Sequence, residues 1–570
     1  MIILGVFTAH DAGAALFDDY RMIAAVSLER LTRMKSDGDR FPDEAIDDCL
    51  ACVGLGRTDV DVLCLPRGSY PARYVTGKPW WDLRSKRPPR FRRGVLREMV
   101  RHGTNDPMRV FDTTSFLADS GFRPGTSVHF YNHHFAHALG ALFHTDWDDA
   151  LLYTADGEGD RVFYSARHMV DGRIEDIFGG DRASLAWMRH QQPASSVALL
   201  YADITEALGF MRLRHEGKVL GLAALGEPRF APFFRDCFRV DASGRVRGRR
   251  SPRAWQDELV RLAAREPRED IAASVQRVVE EVAVKAIGNV LEKYPARRLG
   301  VAGGLFANVL LNQKLAETLP LDEIFVYPAM SDQGMAAGGA LSHLLTRDGL
   351  TCWLAKRWRF DTLYYGRDHS ARAARAFSQG GAVRIDQGDV VAATVKRIRE
   401  GEVVGTYLGR MEYGPRALGA RSILGSAIDR TINDSLNKRL LRSEFMPFAP
   451  VVRAERANDV FNLPSNLAYT ANFMTTTCSV KPEWRERIPA VVHVDGTARP
   501  QVVHRAQNPI YYDILARYEA ATGLPVLINT SFNVHEEPII NTPEECMTAL
   551  ADNRVDAVVS EGGVWAMPHR

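Results

Sequence analysis

The apolar positions of this chain change their period along its length, and each change marks an element. Ile271, Val275, Val278, Val282, Ala286 and Val290 recur at three- and four-residue steps, which places them on one face of a helix. Residues 269–294 are therefore predicted to form a long amphipathic helix that serves as scaffold. Residues 136–143 and the small apolar run 335–341 suit packed helices, whereas 2–7, 150–154 and 299–302 are short runs of strand formers ended by glycine or polar residues. Segments 2–17 and 150–164 echo one another. Each reads as a strand, an acidic turn and a second strand, with His10 and Asp11 in the first turn and Asp156 and Asp160 in the second. Repetition of this kind predicts two similar α/β halves facing a shared cleft.

Between 341 and 365 the glycine-rich pattern gives way to Trp353, Lys356, Arg357, Trp358 and Arg359, and the boundary between a first domain (1–350) and a second (351–570) is expected there. A helix over 390–399 and strands over 403–408 and 524–528 make the second domain another α/β unit.

At 570 residues the chain exceeds what one compact core organises, and 46% hydrophobic with 25% charged residues is the composition of an ordinary globular protein. The formal net charge of +2 recommends no polyanion partner. Residues 78–102 mix lysines and arginines with Trp80, Trp81 and Phe91, a combination able to grip nucleic acid or anionic lipid. Lys86-Arg87-Pro88-Pro89-Arg90 reads more simply as a solvated loop, so no nucleic-acid partner is expected. Seven scattered cysteines argue against a disulfide framework and for a reducing compartment. No apolar run is long enough to span a bilayer, and the start lacks a basic leader, so a cytoplasmic protein without a membrane partner is expected.

Chemistry concentrates in two places. In Tyr131-Asn132-His133-His134-Phe135-Ala136-His137, helical spacing puts His133 and His137 on one face and turns His134 elsewhere. Asp156, at the end of a strand, is the third candidate ligand, and Asp332 is the fourth. Two imidazoles and two carboxylates mix nitrogen with hard oxygen donors, which suits iron first, with zinc and manganese as alternatives. Farther along, Arg416, Arg421 and Ser422 sit within a turn built on Gly414-Pro415. Lys438, Arg439 and Arg442 follow, then Arg499, and alternation in 527–533 predicts Asn529, Ser531 and Asn533 on one face. Guanidinium groups beside short polar side chains make a cradle for a nucleotide and a second anion.

Taken in order, these motifs resemble the O-carbamoyltransferase family of nodulation-factor and antibiotic-tailoring enzymes (NodU, CmcH and TobZ type). The likeness runs through His10-Asp11, 28–35 ending in Arg33-Met34-Lys35, His133 to His137, Asp156-Gly-Glu-Gly-Asp160, Glu216-Gly-Lys218, Gly303-Gly304, Gly414 to Gly419 with Arg421-Ser422, and Asn529 to Asn533. The resemblance implies a duplicated actin-like ATPase (ASKHA) domain followed by a YrdC-like α/β domain. It implies that the second domain makes carbamoyl adenylate from carbamoyl phosphate and ATP, with magnesium, and that the first passes the carbamoyl group to a hydroxyl of a small natural product or sugar.

In those terms His133, His137, Asp156 and Asp332 would hold iron, and Lys35 the activated carbamoyl group. Arg416, Arg421, Ser422, Lys438, Arg442, Arg499, Asn529 and Ser531 would serve adenylation. His10, Glu158 and Asp160 are the candidate proton acceptors, and Asp11, Glu216 and Lys218 would meet the acceptor. The chain departs from the family pattern at Leu440, where a lysine is usual, and at Met446, where an arginine is usual. Lys438, Arg439 or Arg442 would compensate. Because an adenylate of this kind hydrolyses in bulk water, an enclosed passage between the domains is expected. The alternatives are an enzyme placing a threonylcarbamoyl group on tRNA adenosine, with residues 78–102 gripping RNA, and a non-enzymatic ATP-binding regulatory module.

Overall fold

The structure, a computed structural model, describes residues 1–75, 92–185, 195–442 and 447–568. Most of the basic stretch 78–102, and Met446, lie outside the described residues.

The echo between 2–17 and 150–164 is an internal duplication. One five-stranded sheet has the spatial order Arg21–Ser27, Gly13–Asp18, Ile2–Phe7, Val62–Pro66, Ser127–Tyr131, and a second has the matching order Arg173–Phe178, Val162–Val170, Ala150–Gly159, Arg298–Ala302, Glu323–Val326. In both, the first three strands form an antiparallel meander and the last two join parallel to the first. This is the duplicated α/β architecture of the actin-like expectation.

Helices His133–Phe143 and Met335–Ala355 lie between the two sheets and pack on each other. Their approach requires glycine: a Cβ on Gly338 would stand 2.3 Å from the Ala136 carbonyl oxygen. The predicted scaffold helix is Arg268–Lys293, and Ile271, Val275, Val278, Val282, Ala286 and Val290 are all buried. No helix among the described residues is long and apolar enough to cross a membrane.

One local expectation needs correction. Asp156 does not sit in a turn, because the strand from Ala150 continues to Gly159 and Asp156 lies in an irregular stretch where pairing passes from Ala155 with Tyr164 to Gly159 with Val162. The turn itself is Asp160-Arg161, both with positive φ. The glycines at 157 and 159 loosen the register without ending the strand.

The carboxy-terminal lobe is built on an eight-stranded mixed sheet in the order Val383–Arg384, Gly563–Ala566, Ala557–Ser560, Val404–Tyr407, Ser422–Ser426, Val526–Ser531, Ala449–Arg453, Gln501–Val503. The helix Val390–Arg399 has its expected bounds. The strand expected over 524–528 starts later and runs to Ser531, because the preceding helix Pro509–Thr522 ends on the left-handed Gly523 and the chain must first reverse. A single apolar cluster joins the lobes, with Tyr413, Leu418, Phe473 and Met474 packed among Tyr131, Phe325 and Met335. Burial of this surface fixes one lobe against the other.

Candidate active site

The amino-terminal site is assembled from three elements. Asn132 caps the helix His133–Phe143 by accepting the Phe135 N–H at 2.8 Å, so both histidines lie in its first turns facing the second sheet. Asp156 comes from the irregular strand stretch, and Asp332 from the short turn before Met335–Ala355. Nε2 of His133 lies 3.3 Å from Asp156 and 3.4 Å from Asp332, and Nε2 of His137 lies 3.3 Å and 3.5 Å from the same two carboxylates. All four residues are buried, and their ligand atoms lie within 4.8 Å of one another. Gly159 lets His133 in, since a Cβ there would overlap the imidazole at 2.0 Å.

These separations are long for N–H···O hydrogen bonds, whose usual length is about 2.9 Å. They are of the size expected between neighbouring donors around one ion at bonds of about 2.1 Å. Asp332 Oδ1, one of the four donor atoms, is buried with no hydrogen-bond partner. The donor set therefore fits a cation. Burial alone would raise the Asp156 carboxyl, but the imidazoles of His133 and His137 beside it hold it well below the usual carboxylate range. His137, despite burial, is raised to about 9 by the same two carboxylates. His134 turns away as expected, bonding Thr154 Oγ1 at 2.7 Å and the Val162 carbonyl at 2.8 Å.

Around this cluster the three candidate proton acceptors have different surroundings. His10 places Nδ1 3.1 Å from Asp332, and that carboxylate raises it to about 11. Asp160 accepts from Arg67 at 3.0 Å and from the His133 backbone N–H at 3.0 Å, so it anchors the helix start. Glu158 is exposed and pairs with Arg161 at 3.0 Å. Asp11 is pushed up to about 6 by burial. A cavity of about 560 Å³ opens beside Asp160, lined also by Arg67, Ser69, Arg97, Glu158 and Arg161.

A second cavity, of about 290 Å³, lies where the lobes meet. It gathers Lys35 and Lys218 from the amino-terminal lobe with Arg416, Arg442, Arg499, Asn529 and Ser531 from the other. Arg442 is held by Thr530 Oγ1 at 2.8 Å, Ser531 Oγ at 3.1 Å and Asn533 Oδ1 at 2.9 Å. Asn529, Ser531 and Asn533, expected on one face, all line the cavity, and Thr530 joins them near the strand end. Burial, and then the charge of Arg499, depress the Arg416 guanidinium well below its ordinary range, and its Nε is buried without a partner. Two guanidiniums lining one cavity, the charge of one disfavouring that of the other, suit an anionic ligand.

Some candidates lie elsewhere. Arg421 is fully buried, stacks on Tyr407 at 3.7 Å and donates to the carbonyls of Leu408, Ala420 and Gly409, so it builds the lobe. Ser422 is buried in its strand and accepts the Gly419 N–H. Lys438 is exposed and Arg439 pairs with Asp556. Of the three substitutes considered for the absent lysine, Arg442 is the one lining the cavity. Lys218, assigned to the acceptor, stands in the interlobe cavity, and Glu216 beside it bonds the Leu213 N–H. The residues that sequence reasoning missed flank its motifs. His215 precedes Glu216-Gly-Lys218, Glu536 follows Asn529 to Asn533, and both line the same cavity. Arg67 carried no local signal, and Arg97 figures in the sequence only within the basic stretch 78–102.

A family model described as the carbamoyltransferase N-terminus matches residues 2–341, and one described as the carbamoyltransferase C-terminus matches 395–566. The chain belongs to the carbamoyltransferase family, and it is accordingly a transferase. It is 31% identical to nodulation protein NolNO of Sinorhizobium fredii, over 96% of this chain and 78% of the relative. It is 26% identical to nodulation protein U of the same organism, over 100% of this chain and 99% of the relative. An uncharacterized protein of Methanocaldococcus jannaschii, MJ1058, is 30% identical over 98% of each chain.

Proposed function

We propose that this carbamoyltransferase is ATP-dependent and works in two stages, adenylation at the interlobe cavity and transfer at the His133/His137/Asp156/Asp332 cluster. The observation that carries this reading is the convergence of Lys35, Arg416, Arg442 and Arg499 on one cavity, a charge pattern suited to polyphosphate and carbamoyl phosphate together. In the first stage carbamoyl phosphate yields phosphate and carbamate, with one water consumed. A carbamate oxygen then attacks the α-phosphorus of ATP, and pyrophosphate leaves. Arginines around the cavity stabilise the charge that builds on the departing groups. In the second stage an acceptor hydroxyl oxygen attacks the carbamoyl carbon and AMP departs.

His133, His137, Asp156 and Asp332 would hold iron, which when bound supplies Lewis-acid polarisation. Asp160 positions His133 through its backbone N–H, and Asp332 lies 3.1 Å from His10 Nδ1. Glu158 borders the larger cavity and is the carboxylate available to receive the hydroxyl proton. The acceptor, a small hydroxylated molecule such as a sugar or natural product, would enter there. Lys35 bears on both stages: its neighbours Ser36 and Asp37 accept backbone N–H groups from Asp11 and Ala12, beside His10. An enclosed passage along this segment would keep the adenylate from water.

The test is incubation with ATP and carbamoyl phosphate, followed by mass spectrometry for carbamoyl adenylate and a pyrophosphate assay. Both products are expected from the wild type and neither from Arg499→Ala. A wild type that makes neither would overturn the reading.

A further inference from the structure

One residue breaks the cationic pattern of the interlobe cavity. Glu536 is the one carboxylate among the described residues that line it. Its backbone φ is 63°, a left-handed conformation disfavoured for any residue with a side chain. Its carboxylate reaches back across the lobe boundary, where Oε1 accepts from His215 Nε2 in a short hydrogen bond. Oε2 is buried without a hydrogen-bond partner, and Arg214, the cation paired with it, is 3.9 Å away.

His215, His535 and Glu536 together have the composition of a metal site, but the hydrogen bonding argues against one. His215 Nδ1 accepts the Met211 N–H at 3.1 Å, so the ring proton is on Nε2 and points at Glu536. An ion would need that lone pair. Lys218 Nζ, 3.2 Å from His535 Nε2, adds a positive charge where a cation would sit.

What remains is an acceptor oxygen, fixed by its partner oxygen, on a residue that lines the cavity together with Lys35, Lys218, Arg416, Arg442 and Arg499. Phosphoryl oxygens cannot use it, because they only accept. The donors available on the two substrates are the carbamoyl amine, the ribose hydroxyls and the adenine amine. Its contact with His215 of the amino-terminal lobe, in the cavity that Lys35 also lines, puts this carboxylate at the amino-terminal side, where the carbamoyl group must leave. We propose that Glu536 Oε2 accepts an N–H from the carbamoyl amine and so selects a carbamoyl donor over an acyl donor with no N–H. The proposal rests on the adenylation reading above.

Pyrophosphate release should be measured with carbamoyl phosphate and with acetyl phosphate, for the wild type, Glu536→Gln and Glu536→Gly. Glycine suits the left-handed backbone and keeps the fold, while glutamine turns an amide donor toward the substrate. Both variants are expected to raise KM for carbamoyl phosphate and to reduce the preference for carbamoyl over acetyl phosphate by about ten- to hundredfold, with KM for ATP unchanged. An unchanged preference would overturn the proposal. So would a wild-type bias against 2′-deoxy-ATP that disappears in Glu536→Gly, which would assign the oxygen to the ribose. Absence of any carbamoyl-phosphate-dependent pyrophosphate in the wild type would remove the adenylation reading, and this inference with it.

Discussion

Tyr413 donates its hydroxyl hydrogen to the carbonyl of Gln333 at 2.9 Å, tying the turn that carries Arg416 to the residue beside Asp332. Both groups are buried, and Arg30 reinforces the junction by donating to the Gly414 carbonyl at 3.0 Å. Tyr413→Phe leaves that carbonyl without its partner, at a cost of about 1–3 kcal/mol. Chemical denaturation should show the loss. If the junction aligns the two sites, transfer to an acceptor should fall further than pyrophosphate release.

His137→Ala removes one nitrogen from the four-residue cluster without touching the interlobe cavity. Metal content by elemental analysis should fall, as should transfer, by about a hundredfold or more. Adenylate formation should stay within about a factor of two of wild type. An equal loss of both would contradict the division of labour between the lobes.

Arg416→Met should separate stability from function. Replacing one of two half-buried guanidiniums that repel each other with an apolar side chain of similar length is expected to stabilise the ligand-free protein by about 1 kcal/mol. The same change should raise KM for carbamoyl phosphate about tenfold or more. It should also shrink the rise in thermal midpoint that carbamoyl phosphate gives the wild type.

His144 provides a pH test away from either site. Its ring is fully buried, stacked on Phe360 with centroids 3.7 Å apart, and burial lowers its pKa to about 3. An unfolded histidine takes up its proton near pH 6.5. Above that pH His144 is neutral in both states and its contribution to stability is intact. As pH falls from about 6.5 toward 3, the unfolded chain binds a proton that the folded chain refuses, so stability declines through this window. His144→Phe should flatten that decline in denaturation curves recorded from pH 7 to 4, and an unchanged slope would contradict the assignment.

Local pattern in the sequence determined much of this protein. Helical spacing was enough to place His133 and His137 on one face and to lay out the scaffold helix Arg268–Lys293, because periodicity is a property of neighbouring residues. The repeat of strand, acidic residues and strand pointed to the duplication, and the matching strand orders of the two sheets established it. Tertiary structure decided the rest. It separated Arg442 from Lys438 and Arg439, which share the same stretch of sequence, by pointing the first into the cavity and the others to solvent or to Asp556. It withdrew Arg421 into backbone hydrogen bonds although it lies only five residues after Arg416. It also brought His215 and Glu536 together across 321 residues. Such pairings depend on how two sheets pack, a long-range outcome of burial that leaves no periodic trace in the chain.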